Sequence, residues 1–100
     1  MAQGNGNAEK KHLVLTPNPF RNTLRVGLAN QRSGAISVKI FSADGRMVKV
    51  LDTGKNKTSG GWNWLGDDNN GDPVAQGIYF IQVHDQQSNE TYNQKVLRVK

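Results

Sequence analysis

Asp67-Asp68-Asn69-Asn70-Gly71-Asp72 is the stretch whose residue types come closest to building a chemical site. Asp68, Asn70 and Asp72 stand at alternate positions, the D-x-N-x-D spacing that supplies the first oxygen ligands of a calcium loop. The pattern then departs from that loop. Pro73 replaces the turn glycine, and Tyr79 stands where a bidentate glutamate belongs. A solvated hairpin loop is the simpler reading of the same residues. Trp62 and Trp64, with Tyr79 and Tyr92, could form a sugar-stacking platform, although tryptophans at alternate strand positions more often face a core.

Other chemistry finds little support. The only glutamates are Glu9 and Glu90, and every aspartate falls in an expected loop, which leaves no tuned carboxylate pair. Neither a Gly-x-Ser-x-Gly elbow nor a phosphate loop is present. His12 and His84 belong to different segments, against a metal pair or proton shuttle. The absence of cysteine rules out disulfides, thiol chemistry and thiolate metal sites. No enzyme activity and no cofactor are expected. The charge is +5, from 13 Lys and Arg against 8 Asp and Glu, which favours anionic partners unless it simply solubilises outward faces. Lys39, Lys49, Lys95 and Arg98 could line a basic sheet face. Sheets that bind nucleic acid interleave such residues with exposed aromatics, and Phe41 alone qualifies, so no nucleic-acid partner is expected.

The elements that must position these residues are strands. Leu24, Val26 and Leu28 alternate with polar or small residues, as do Ile36, Val38 and Ile40, then Tyr79, Ile81 and Val83. Seven segments are expected to be strands: residues 12–16, 24–28, 35–42, 47–51, 62–64, 78–84 and 91–99. Asp44-Gly45 predicts a hairpin turn, and the Asp67–Gly77 connection is built from turn-forming residues. Turns spaced by roughly 8–12 residues, without sustained helical periodicity, predict an all-β antiparallel sandwich with the tryptophans in its core. Residues 1–11 hold no apolar targeting segment and are expected to be a flexible linker with an added start methionine. Residues 12–100 form the domain, expected to be a piece of a larger protein.

Four signatures occur in order along the chain: Pro17-Asn18-Pro19-Phe20, then Ser42-Ala43-Asp44-Gly45-Arg46-Met47-Val48, then Trp64 through Gly77-Ile78-Tyr79-Phe80, and a closing Lys95-Val96-Leu97-Arg98-Val99-Lys100. Together they resemble the type A C-terminal sorting domain of the type IX secretion system and the related Ig-like domain of flagellar hook-capping (FlgD-like) proteins. The long loop at residues 67–73 is more like the hook-capping form, and Leu65 departs from its acidic residue after the tryptophan. The resemblance implies a seven-stranded Ig-like sandwich that directs export and cell-surface anchoring of a larger secreted protein. It implies outer-membrane sorting machinery as partner, an upstream cargo domain in the same polypeptide, attachment to an anionic surface lipopolysaccharide, and a location at the bacterial cell surface. Carried over by position, the motif residues for partner recognition are Pro17, Asn18, Pro19, Asp44, Gly45, Arg46, Gly77, Tyr79, Lys95, Val99 and Lys100. A purely structural spacer and a carbohydrate-binding module remain as alternatives. The final strand, its basic ends and addition of a partner strand to a sheet edge are the expected mode of contact.

Overall fold

The computed structural model describes residues 13–28, 35–57, 61–86 and 88–99. The expected linker at residues 1–11, His12 and Lys100 therefore lie outside the described residues. Among the described residues there are seven strands: β1 (Leu13–Thr16), β2 (Leu24–Leu28), β3 (Ala35–Ser42), β4 (Met47–Lys57), β5 (Trp62–Trp64), β6 (Gly77–Asp85) and β7 (Glu90–Arg98). All pair antiparallel, in one sheet of order β1-β2-β5 and another of order β4-β3-β6-β7.

Alternation along the strands supplies the two inner faces. Leu13, Leu15, Leu24, Val26, Trp62 and Trp64 from one sheet meet Ile36, Val38, Ile40, Tyr79, Ile81, Val83 and Val96 from the other. Phe20, from the crossing between β1 and β2, plugs one end of this layer. Each such side chain contributes about 1.5–3 kcal/mol by leaving water. Trp64 is wholly buried at 0% exposure and Trp62 nearly so at 9%, so both indoles belong to the core. Each buried N–H has found an acceptor: Trp64 donates to the Asp67 carbonyl at 2.8 Å, and Trp62 to Asp52 Oδ2 at 2.9 Å. The second bond crosses from one sheet to the other.

One strand differs from its sequence pattern. The alternation ends at Leu51, yet β4 runs on to Lys57. The first half of β3 must satisfy its backbone groups, and residues 52–57 do so in pairs such as Val38 with Asp52 and Ser37 with Thr53. Three register shifts interrupt this pairing, and Asp52 Oδ1 accepts the Gly54 N–H at 2.8 Å beside them. Polar composition hid a strand that its neighbour requires.

Candidate functional site

The carried-over motif residues that the structure describes gather at one end of the sandwich, where β3 ends, β4 and β6 begin and β7 finishes. Pro17, Asn18 and Pro19 form the crossing out of β1, and both proline bonds there are cis. This crossing lies along the free edge of β7. The Leu97 N–H donates to Asn18 Oδ1 at 3.1 Å, and Asn18 Nδ2 donates to the Lys95 carbonyl at 3.5 Å. Beyond it, the Phe20 N–H donates to the Leu97 carbonyl at 3.0 Å and the Val99 N–H to the Phe20 carbonyl at 2.8 Å. The side-chain amide of Asn18 thus stands in for a strand backbone, and Phe20 continues as a parallel bridge to Arg98. Motifs from the two ends of the described chain make one clasp.

That clasp narrows one part of the expected mode of contact, strand addition at the edge of β7. The Lys95 carbonyl, both backbone groups of Leu97 and the Val99 N–H are already bonded to Asn18 and Phe20, which obstructs addition of a partner strand along this part of β7.

Asp44, Gly45 and Arg46 make the hairpin between β3 and β4. The Gly45 N–H donates to the Ser42 carbonyl at 2.9 Å and the Ser42 N–H to the Arg46 carbonyl at 2.8 Å. Asp68 to Asp72 repeats this geometry: the Gly71 N–H donates to the Asp68 carbonyl at 3.0 Å and the Asp68 N–H to the Asp72 carbonyl at 2.9 Å. In each turn the fourth residue has positive φ, 90° at Gly45 and 87° at Gly71, which glycine adopts without a Cβ clash. An acidic side chain reinforces both. Asp44 accepts from the Ser42 hydroxyl and from the Arg46 N–H, and these bonds, the first being the stronger, hold its carboxyl below the usual carboxylate range.

Asp68 braces the second turn. Its Oδ1 accepts the N–H groups of Asn70 and Asp72 at 2.9 and 3.0 Å, so the D-x-N-x-D spacing serves the turn backbone. Asp67 turns instead to Lys49, 3.0 Å away. Among the described residues no group of three or more His, Cys, Asp or Glu converges as a metal site. Next to Asp68, Asn69 lies against the outer edge of β4, its N–H donating to the Val48 carbonyl at 3.1 Å and its Oδ1 accepting the Val50 N–H at 3.0 Å. Sequence reasoning missed this role, because an amide that imitates backbone leaves no periodic trace.

Two recesses open beside the turns. One, of about 380 Å³, is lined by Ser42, Asp44, Arg46, Gly77, Ile78 and Tyr79 among others; the second, of about 370 Å³, shares Ser42, Arg46 and Tyr79 and extends to Asn69 and Asn70. Tyr79 joins the surface to the core. Its ring meets Trp64 edge-on at 5.3 Å, and Trp64 meets Phe20 at the same centroid distance. Its hydroxyl donates to the Ala75 carbonyl at 2.6 Å and fixes the corner before β6. Burial raises the Tyr79 pKa, with the Arg98 charge pulling the other way. The aromatic row Phe20–Trp64–Tyr79 therefore sets the clasp and the two turns in one frame.

The remaining candidates disperse. Burial of Trp62 and Trp64 removes the sugar-stacking platform, since a ring packed in a core offers no face to a sugar. Tyr92 donates its hydroxyl to Glu90 at 2.5 Å, and His84 Nδ1 pairs with Thr91 Oγ1 at 2.8 Å. The four-residue basic face also breaks up. Lys49 binds Asp67, Arg98 reaches the Val74 carbonyl at 2.8 Å, and only Lys39 and Lys95 occupy outward positions.

Comparison with known proteins agrees with this architecture. No curated protein matches the chain. Two solved structures from Porphyromonas gingivalis share the fold. PorZ, described as an essential bacterial surface component of the type-IX secretion system, superposes with TM-score 0.65 at 22% identity over 88% of this chain and 11% of its own. Dimeric latent PorU superposes with TM-score 0.66 at 20% identity over 89% of this chain and 9% of its own. The chain thus spans about a tenth of the length of either. The FlgD Ig-like domain model matches residues 20–89, from the clasp residue Phe20 to the turn before β7, and the chain belongs to that family.

Proposed function

We propose that this chain is a non-catalytic β-sandwich module that directs export and cell-surface anchoring of a larger secreted protein through the type IX secretion system. The observation that carries the reading is the convergence of its separated motifs, at residues 17–20, 42–48, 77–79 and 95–99, on one end of the sandwich. Antiparallel pairing brings these connections to one end, and the exposed side chains of Asp44, Arg46 and Lys95 share it. The superposition with a surface component of that secretion system, over a small fraction of a longer chain, gives further support.

Residues 12–100 act as the module, following a linker at residues 1–11 and an upstream cargo domain. Outer-membrane sorting machinery reads the end formed by Asp44, Arg46 and Lys95, beside the β6 start at Gly77. It does so through projecting side chains, because the adjacent strand edge is already bonded. The cargo is secreted to the bacterial surface and held at an anionic lipopolysaccharide.

A structural spacer of the hook-capping kind is the second reading, and the match to the FlgD Ig-like model favours it. Fusion of the full chain to an exported reporter in a host with the secretion system separates the two. Surface exposure of the reporter is expected; retention in the periplasm would leave the spacer.

A further inference from the structure

The outer face of the four-stranded sheet adjoins the motif-bearing end and shares Lys95 with it. On the outer face of the four-stranded sheet, Met47, Ile78, Leu97 and Phe80 are 49%, 41%, 38% and 36% exposed. Pairing makes them contiguous. Phe41 stands opposite both Met47 and Phe80, Ile78 stands opposite Leu97, and Ile78 and Phe80 are two residues apart on the same face. Solvent-facing strand positions normally carry polar side chains, and a grouped set of large apolar ones marks an interaction surface.

Charge around the cluster narrows the occupant. Lys95 is the direct partner of Phe80, and Lys39 lies two residues from Phe41 on the same face. Neither ammonium has an ion-pair partner among the described residues. No outward-facing pairing position of the four strands holds Asp or Glu. The face is therefore apolar and cationic, and it lacks the carboxylates that would satisfy it from within.

We propose that the outer face at Phe41, Met47, Ile78, Phe80 and Leu97 docks an acidic segment of a partner protein whose apolar side chains cover the cluster. Carboxylates of that segment meet Lys39 and Lys95. A second copy of this chain fits less well, since a two-fold contact would bring both lysine pairs to one cluster. An anionic bilayer also fits less well. Asp44, which shares a recess with Ile78 at the rim, presents a carboxylate that hydrogen bonds keep ionised. A protein can pair that charge with a cation or a donor, whereas an anionic leaflet repels it. The proposal goes beyond the export reading and holds equally for a spacer.

The test is selection of a displayed random-peptide library on the full chain, followed by binding of the enriched peptides in solution. Sequences combining aliphatic or aromatic residues with Asp and Glu are expected. Their affinity should fall about tenfold or more in Phe80→Ser and in Lys39→Glu/Lys95→Glu, and hold in Val14→Ser on the opposite sheet. Circular dichroism and tryptophan emission confirm that each variant keeps its fold. The charge-reversed pair keeps the test open if Phe80→Ser unfolds. Failure to enrich, enrichment of uncharged or basic sequences, or affinity indifferent to these variants would overturn the proposal. So would binding to vesicles of equimolar phosphatidylcholine and phosphatidylglycerol in place of peptide, or a dimer in light scattering that Phe80→Ser dissociates.

Discussion

Replacing Asn18 with alanine removes one half of the clasp and leaves the other. Two hydrogen bonds are lost, a well-placed one from the Leu97 N–H at 3.1 Å and a long one to the Lys95 carbonyl at 3.5 Å. Net worth is about 1 kcal/mol for the first and less for the second, because both strand groups lie at the surface and can turn to water. Asn18→Ala should therefore lower stability by about 1–1.5 kcal/mol, a fall in Tm of roughly 5–10 °C for a domain of this size. Urea unfolding followed by tryptophan emission measures it, since Trp64 is wholly buried in the native core. Amide exchange localises it. Exchange at Leu97 should accelerate, while Val99, whose partner is the Phe20 carbonyl, should change much less. An unchanged urea midpoint together with unchanged Leu97 exchange would refute the clasp.

Other substitutions probe the frame behind it. Tyr79→Phe removes the donor to Ala75 and should cost about 1 kcal/mol in urea unfolding, with the core ring retained. Asp52→Ala strips the acceptor from the Trp62 indole and the Gly54 N–H, and should cost about 1–3 kcal/mol. At alkaline pH, Tyr92 is held up to about 12 from 10.0, chiefly by its hydrogen bond to Glu90. Because the folded value is the higher, this contribution is complete below pH 10 and disappears as pH climbs through 12; Tyr92→Phe should delete the latest inflection in a tyrosinate absorbance titration. At the acid end the sign is opposite. Asp44 is lowered in the folded state, so its contribution is present above the ordinary carboxylate range and is lost as pH falls, and Asp44→Asn should flatten the acid limb of stability against pH.

How far the sequence carries depends on which force shaped each part. β2, β3 and β6 announce themselves because burial on one side imposes a two-residue period on Leu24–Val26, Ile36–Val38–Ile40 and Tyr79–Ile81–Val83. The second half of β4 has no such period. Its pairing is demanded by the backbone of β3, and polar residues at 52–57 meet that demand as well as apolar ones. Spacing at Asp68, Asn70 and Asp72 is compatible with a cation or with a turn, and only the structure shows the Asp68 carboxylate bonded to the turn backbone. The order of the motifs is plain in the sequence, but the joining of Asn18 to Leu97 is not, because it spans nearly the whole described chain. Asn69 on β4 and Asn18 on β7 serve the same purpose at opposite edges of one sheet. Each places an amide where another chain's strand would otherwise pair.

The most direct trial of the account is reporter display with the motif-bearing end altered and the fold kept. Asp44→Ala, Arg46→Ala and Lys95→Ala all change exposed side chains, and the triple variant can be checked for native tryptophan emission before export is scored. Loss of the reporter from the cell surface, with a folded fusion accumulating in the periplasm, is the predicted result. Surface display equal to that of the unaltered chain would contradict it.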